Sequence, residues 1–418
     1  MFRRIEIARY KCVRRADVAP AAFNILIGPN ASGKSTFLDS LAFIRDAVET
    51  DVEKAVRKRA NSLRELVWNN QDDGKGFEIA VEAQLPDHVK TNGYDRIRYE
   101  VGVGLDAKGV ITVSGENVWL LSSRSEKPNG LDQATLIFPT EPVDTGSVVR
   151  PARSRTPPGQ RLVARKVAES GNDYFRSEKT DWNIMLRFSP QRLGLAGIPE
   201  DEDRFPLTLW FKRAILHNIQ VLQLNSVLMR RTCPSDAPRL FQPDGSNLPI
   251  MVRVLQANPQ RFAWWVGHVQ TILEDLEMVD VAERPEDRSY YLRVTYRNGV
   301  TVPAWLLSDG TLRVLALTLI AYLPNQEQVF IIEEPENGVH PRAVEAVFKA
   351  LRSVYDGQVF MATHSPLILA LAQPEDLLIF AKTPGGSTAI VKGTQHPILH
   401  DWQRETSLDT LFAAGVLG

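Results

Sequence analysis

Apolar and polar residues alternate over positions 2–8 around Ile5 and Ile7, and a second apolar run, Ala-Ala-Phe-Asn-Ile-Leu-Ile-Gly, occupies 21–28. Both read as strands. From Ser35 the spacing changes: Phe37, Leu38, Leu41, Ala42 and Ile44 recur at three and four residues, which predicts a helix beginning just beyond the second strand. A polar helix is expected from about Val52 to Leu66. Strand patterns return in GFEIAVEAQL (76–85), RIRYEVGVGL (96–105) and GVITVSGENVWLL (109–121), and together suggest an antiparallel β lobe. Residues 122–180 are rich in Ser, Pro, Gly and Arg without a sustained period, and read as an irregular insertion. Helical spacing resumes over 206–219 and 248–276. After SYYLRVTYR (289–297) an α/β alternation follows: helix 309–322, strand 328–332, helix 341–353, strand 358–362 and a helix after Thr-His-Ser-Pro. Three regions result: 1–121, a helical and partly basic middle from 122 to 300, and 301–418.

Composition narrows this picture. The 418 residues carry a net charge of −1, so the whole molecule is not a polyanion binder, although a local basic patch remains open. Arg150, Arg153, Arg155, Arg161, Arg165 and Lys166 supply such a patch, readable as a solvated surface or as a nucleic-acid contact. Cys12 and Cys233 are the only cysteines and have no metal-ligand spacing, so a disulfide framework is not expected. No apolar run reaches the roughly 18 residues of a membrane span, and the first residues lack a secretory pattern; a cytoplasmic protein is expected.

Chemistry enters at Gly28-Pro29-Asn30-Ala31-Ser32-Gly33-Lys34-Ser35-Thr36. It fits G-x-x-x-x-G-K-[ST] and stands between a strand and a helix. Glycines at these positions let backbone N–H groups wrap a β-phosphate, and the helix N-terminus adds its positive end. Lys34 is then placed to reach the β- and γ-oxygens, and Ser35 to offer its hydroxyl to Mg²⁺. ATP or GTP is the implied ligand. Far downstream, Val-Phe-Ile-Ile ends in Glu333 and Glu334. Glu333 is the candidate Mg²⁺ holder and Glu334 the candidate general base, though paired acids after a strand also cap helices. Ser308, Asp309 and Gly310 precede an apolar helix whose N-terminus suits a γ-phosphate. His364 ends another apolar strand, where it is placed to hydrogen-bond the same group.

The order of P-loop, LSDGT, IIEEPE and THSP resembles ABC-type ATPases, and within them the soluble branch that includes SMC proteins, RecF and the OLD (overcoming lysogenization defect) family. PDGSNLP at 243–249 and the ending SLDTLFAAGVLG are also similar to prokaryotic ATPases of this group. The resemblance implies an α/β fold: an ABC-type ATPase head with an antiparallel β lobe and a helical or irregular insertion. It implies ATP and Mg²⁺ as cofactors, and hydrolysis of ATP to ADP and phosphate. By the same resemblance Leu307–Thr311 is the signature motif, which closes on ATP held by a second chain. The protein is then expected to form a head-to-tail homodimer or a higher even-numbered oligomer. Gln71 matches the glutamine that senses Mg²⁺, although an exposed turn glutamine reads as well. His340 stands where many relatives have Asp. Many relatives also have Asp where Glu333 stands, which points to slow turnover.

Two functions follow from the resemblance. One is an ATP-gated switch in antiphage defence, working with a separate effector such as a Toprim-type nuclease, because no Toprim-like acidic cluster follows THSP. The other is a RecF-like repair or replication ATPase that clamps DNA directly. A transporter subunit fits poorly because the signature lies so far beyond the P-loop, and a long SMC-type coiled coil lacks the necessary heptads.

Overall fold

The structure, a computed structural model, describes residues 1–70, 76–90, 93–123, 137–143, 146–151, 156–167, 171–324, 327–355, 357–399 and 407–417. In chain order the strands are β1 (Phe2–Tyr10), β2 (Val13–Val18), β3 (Phe23–Ile27), β4 (Phe77–Gln84), β5 (Arg96–Leu105), β6 (Ile111–Leu121), β7 (Gln160–Val167), β8 (Asn172–Arg176), β9 (Asn183–Leu186), β10 (Ile219–Leu222), β11 (Leu276–Glu283), β12 (Tyr290–Tyr296), β13 (Thr301–Pro303), β14 (Val329–Glu333), β15 (Gln358–Ala362), β16 (Leu377–Lys382) and β17 (Thr388–Lys392). The helices are α1 (Lys34–Glu49), α2 (Val52–Arg57), α3 (Pro206–Asn218), α4 (Ser226–Met229), α5 (Leu248–Gln256), α6 (Pro259–Gln270), α7 (Asp309–Ile320), α8 (Pro341–Arg352), α9 (Pro366–Leu371) and α10 (Leu408–Ala413).

Three sheets organise these elements. The first has eight antiparallel strands in the order β2-β1-β4-β5-β6-β7-β8-β9. The second has the order β10-β14-β15-β3-β16-β17 and is parallel except at the β16–β17 hairpin. The third is the small antiparallel sheet β11-β12-β13. Strands β3 and β15 are buried at every position, which explains their apolar runs, broken only by the buried Asn24 and Gln358: a parallel sheet covered on both faces has no solvent side. Alternation nonetheless survives as a choice between two cores. Leu26, Ile331 and Phe360 join α1 and the antiparallel sheet in one core. Ile25, Ile27, Phe330, Ile332 and Met361 face the other, with α7 and α8. The helix α1 is thereby held between the two large sheets, with Phe37, Leu38, Leu41 and Ile44 all buried.

Two stretches differ from their sequence patterns. The run 52–66 is not one helix: α2 ends at Arg57 and a short 3-10 turn occupies Leu63–Leu66. The supposedly irregular stretch 122–180 contributes β7 and β8, and β9 follows, extending the antiparallel sheet. Their charged residues hid this pattern, because part of that charge is buried in pairs. Lys166 on β7 meets Asp173 on β8 at 3.0 Å, with side chains only 2% and 0% exposed. The same device recurs on β5, where Arg98 is buried against Glu6, Glu82 at 2.9 Å and Glu100 at 2.6 Å. The helical run 248–276 divides at Asn258, whose side chain accepts from the Arg261 N–H and caps α6 ahead of Pro259. No helix among the described residues is long and apolar enough to cross a membrane.

A buried ion pair is costly to half-remove, because the surviving charge stays desolvated. Asp173 also accepts the Phe188 N–H at 3.0 Å. Asp173→Ala is therefore expected to lower stability by about 3–5 kcal/mol, read by urea unfolding. The double change Lys166→Met with Asp173→Leu is expected to recover most of that loss. Equal destabilisation by both variants would show that the ion pair is not the source.

Candidate nucleotide site

Parallel pairing sets the site. The strands β14, β15, β3 and β16 run side by side in one direction, so their carboxyl ends share an edge. This is where open α/β sheets place ligands. The loop after β3 cannot tolerate ordinary side chains at its glycines. Gly28 has φ 146°, and a Cβ there would stand 2.1 Å from the Phe380 carbonyl oxygen. Gly33 has φ 108°, and its Cβ would meet the Thr388 Oγ1 at 2.3 Å. With both glycines the loop folds tightly onto β16 and β17 before α1 begins at Lys34. Thr388 Oγ1 also donates to the Ser32 carbonyl at 2.9 Å, tying the loop to the hairpin.

Lys34 is buried, and its Nζ donates to the carbonyls of Gly28 at 2.8 Å and Pro29 at 3.0 Å. Burial lowers its pKa, while Glu333 and Glu334 pull it upward. Ser35 Oγ donates to Glu333 Oε2 at 2.7 Å, across 298 residues of sequence. This pair tests the fit of a divalent cation: a hydroxyl and a carboxylate oxygen side by side are hard ligands of the type Mg²⁺ takes, with phosphate and water supplying the rest. The longer Glu333 side chain still reaches the P-loop serine, so the methylene it adds relative to Asp does not separate the two.

Glu334 sits at φ 49°, a left-handed backbone position that non-glycine residues seldom adopt. Its N–H donates to the Ala362 carbonyl at 2.8 Å, pinning the turn to the end of β15. Its carboxylate accepts from the Asn337 side chain. Beside it, Thr363 Oγ1 donates to Glu336 Oε1 at 2.5 Å and accepts the Ser365 N–H at 2.9 Å, which fixes the backbone around His364. Burial first, then the charge of Lys34, hold the His364 imidazole below its ordinary pKa, against the opposite pull of Glu334 and Glu336. It is therefore neutral near pH 7.

Asn30 to Thr36, Glu333, Glu334, Ala362 and His364 line one cleft of about 430 Å³, together with Cys12 and Lys382. Ser308, Asp309 and Gly310 do not line it. Ser308 caps α7, accepting the Thr311 N–H at 3.1 Å, and is exposed, as is Asp309. Arg230 holds this turn by donating to the Leu307 carbonyl at 2.8 Å and pairing with Asp309. A Cβ on Gly310 would lie 2.9 Å from the Gly338 carbonyl, so the turn packs against the loop that leads to His340. His340 itself is the exposed N-cap of α8.

Among the described residues, the basic residues do not form one free surface. Lys166 is buried against Asp173. Arg150 lies 3.1 Å from Glu100 and over the Trp119 ring, and Arg161 donates to the carbonyls of Ser177 and Thr180. Arg165 is half-buried on β7. Gln71, Arg153 and Arg155 lie outside the described residues. Motif reading missed Cys12, Lys382 and Thr388, which belong to no short pattern and are brought to the P-loop by strand pairing, and Arg230, which holds the turn at Leu307; Glu336 stood inside IIEEPE without an assigned role.

The sequence matches, over residues 23–370, the family described as "AAA domain, putative AbiEii toxin, Type IV TA system". The fold is similar to that of an SMC head solved bound to the C-winged helix domain of ScpA, at 14% identity and TM-score 0.54, covering 93% of this chain and 96% of that one. It is also similar to an SMC head with an extended coiled coil bound to the C-terminal domain of ScpA derived from Pyrococcus furiosus, at 11% identity and TM-score 0.51, covering 93% and 95%. At these identities the likeness shows the fold, a mixed α/β ABC-type head. No curated protein matches the sequence.

Two predictions come from this geometry. The depressed His364 pKa places its protonation below the ordinary value of about 6.5, so its NMR titration midpoint should fall below that value. Lys34→Ala should raise the midpoint and Glu334→Gln should lower it further; opposite signs would contradict the arrangement. Separately, Gly28→Ala should abolish nucleotide binding, measured by calorimetry, because the added methyl collides with the Phe380 carbonyl rather than with a movable side chain.

Proposed function

The chain belongs to this AAA-domain family, and we propose that it is an ATPase in which two copies close head to tail on ATP and Mg²⁺, as a switch for a separate effector in a nucleic-acid-related defence process. The observation that carries the ATPase reading is the Ser35–Glu333 contact, with Glu334 and His364 lining the same cleft. Lys34 and the P-loop N–H groups bind the phosphates. Ser35 and Glu333 hold the metal, which when bound offsets phosphate charge. Glu334 takes the proton of the attacking water, and Asn337 orients its carboxylate. Neutral His364 hydrogen-bonds the γ-phosphate. Ser308 is outside the cleft of its own chain, exposed at the start of α7; closure by a second copy gives it a phosphate to contact.

The family description names a toxin of a Type IV TA system, which is in keeping with defence. The similar SMC heads are bound to ScpA, and a protein partner on this head is proposed by analogy. A separate Toprim-type nuclease is the effector expected from the sequence resemblance. Direct DNA clamping, the RecF-like alternative, has less support, because Lys166, Arg161 and Arg150 are engaged within the β lobe.

Light scattering and steady-state turnover test the switch. Glu334→Gln should slow hydrolysis by about 100-fold or more and leave a stable dimer with ATP. Lys34→Ala should remain monomeric and inactive, and Ser308→Arg should bind ATP without dimerising or turning it over. A Lys34→Ala protein as active as the wild type would refute the site. For the alternative, Arg165→Glu should not change affinity for duplex DNA; a steep salt dependence lost in that variant would restore the clamp.

A further inference from the structure

Resting on the nucleotide reading above, we infer that Lys382 is a second phosphate-binding cation, serving the α- and β-phosphates from the side of the P-loop opposite the hydrolytic groups. Lys382 is the last residue of β16, and Ile379 on that strand pairs in parallel with Ile27, the last residue before the P-loop. The strand therefore delivers Lys382 to the same edge as Gly28 to Ser35, and the residue lines the same cleft. It is exposed and makes no ion pair among the described residues. Lys34 differs in that its Nζ is engaged by the Gly28 and Pro29 carbonyls and lies under the influence of Glu333 and Glu334. The Glu141 carboxylate, at the turn after Lys382, accepts the Gly385 N–H at 2.7 Å, and an exposed cation with no ion pair among the described residues is suited to an anionic ligand in this cleft.

Strand order says which part of the nucleotide it meets. Across the sheet the order is β14, β15, β3, β16. Glu333 and Glu334 come from the end of β14, His364 from the end of β15, and the P-loop from β3. A triphosphate whose γ-phosphate faces Glu334 and His364 extends away from them, across the loop, towards β16. Lys382 then meets phosphates that ADP and ATP share, next to Cys12.

The base of this lysine is held firmly. The turn after it closes with the Thr383 N–H donating to the Ser387 carbonyl at 2.8 Å, and the Thr388 N–H donates to the Cys12 carbonyl at 3.0 Å. Thr388 is also the residue that contacts the Ser32 carbonyl, so β16, β17 and the P-loop share one set of contacts. Lys382 is thus a positioning and binding residue, with no part in proton transfer.

Calorimetry on the full chain tests this with ADP, and with ATP in the Glu334→Gln background. Lys382→Ala should weaken both nucleotides by about tenfold, the scale of one charge-assisted contact, with the ligand-free melting temperature unchanged. Lys382→Arg should restore most of the affinity. His364→Ala should weaken ATP alone, which separates the two ends of the site. Wild-type affinity for both nucleotides in Lys382→Ala, or a loss confined to ATP, overturns the assignment while leaving the site intact. Failure of the wild-type protein to bind either nucleotide overturns the site itself, and Lys382 with it.

Discussion

Everything at the phosphate cleft depends on hydrogen bonds between parallel strands. Strand β3 pairs with β15, and β15 with β14, in one direction, so Ala362 stands opposite both Leu26 and Glu333. That register brings the Ser35 hydroxyl to Glu333 Oε2 and the Glu334 N–H to the Ala362 carbonyl. Parallel strands need long crossovers, whereas a hairpin joins only antiparallel ones. The intervening chain satisfies that requirement with whole lobes: six strands of the antiparallel sheet (β4 to β9), α3 to α6 and the small three-stranded sheet all lie between β3 and β14. Distance in sequence is therefore a consequence of topology. It is not a sign of two unrelated sites.

The lobes also give the helix behind the P-loop its environment. α1 is buried between the antiparallel and parallel sheets, with Phe37 packed against Phe360 and Phe380 and with Phe43 against Tyr10 and Phe77. Lys34 thus stands on the first turn of a helix gripped from both sides. The grip is partly ionic. Arg59 meets Asp39 at 2.7 Å and Asp46 at 2.9 Å, two acids on α1, while Tyr10 donates to Asp39 at 2.6 Å. Buried pairs of this kind contribute little net stability but strongly disfavour arrangements that separate the partners. They fix how α1 sits on β1, and through it how the P-loop faces β14.

Much of this was legible in the sequence where one physical cause dominated. The P-loop was clear because its glycines answer to sterics alone, as the close approaches of Phe380 and Thr388 show. The strands β3, β14 and β15 were clear because burial on two faces makes them predominantly apolar. β7 and β8 were obscured for the opposite reason: Arg161, Arg165 and Lys166 looked like a solvated surface, and nothing local says that Lys166 is buried against Asp173. Lys382 and Thr388 were invisible because their role comes from neighbouring strands rather than neighbouring residues. The polar run 52–66 read as continuous helix, yet after Arg57 the chain turns and its Leu63 and Leu66 enter the core through a 3-10 turn. Tertiary packing decided that segment, not propensity.

The signature turn shows how far one chain can go by itself. Ser308 satisfies its own N-cap role by accepting the Thr311 N–H, so the turn is stable without any ligand. Arg230 holds the Leu307 carbonyl and pairs with Asp309, and the backbone at Gly338 approaches Gly310 too closely for a side chain. Three independent constraints thus rigidify a turn whose Ser308, Asp309 and Gly310 do not line the cleft. The uncapped N–H groups of this exposed helix N-terminus are open to water, and an anion is a ligand of the kind that can replace that water. Ser308, Asp309 and Gly310 do not line the P-loop cleft of their own chain, so in the proposed closure the phosphate they would meet is one held by a second copy. The same loop that steadies the signature at Gly338 begins at Glu334. On the proposed function, closure at Ser308 and hydrolysis at Glu334 would be joined by one five-residue segment, Glu334 to Gly338.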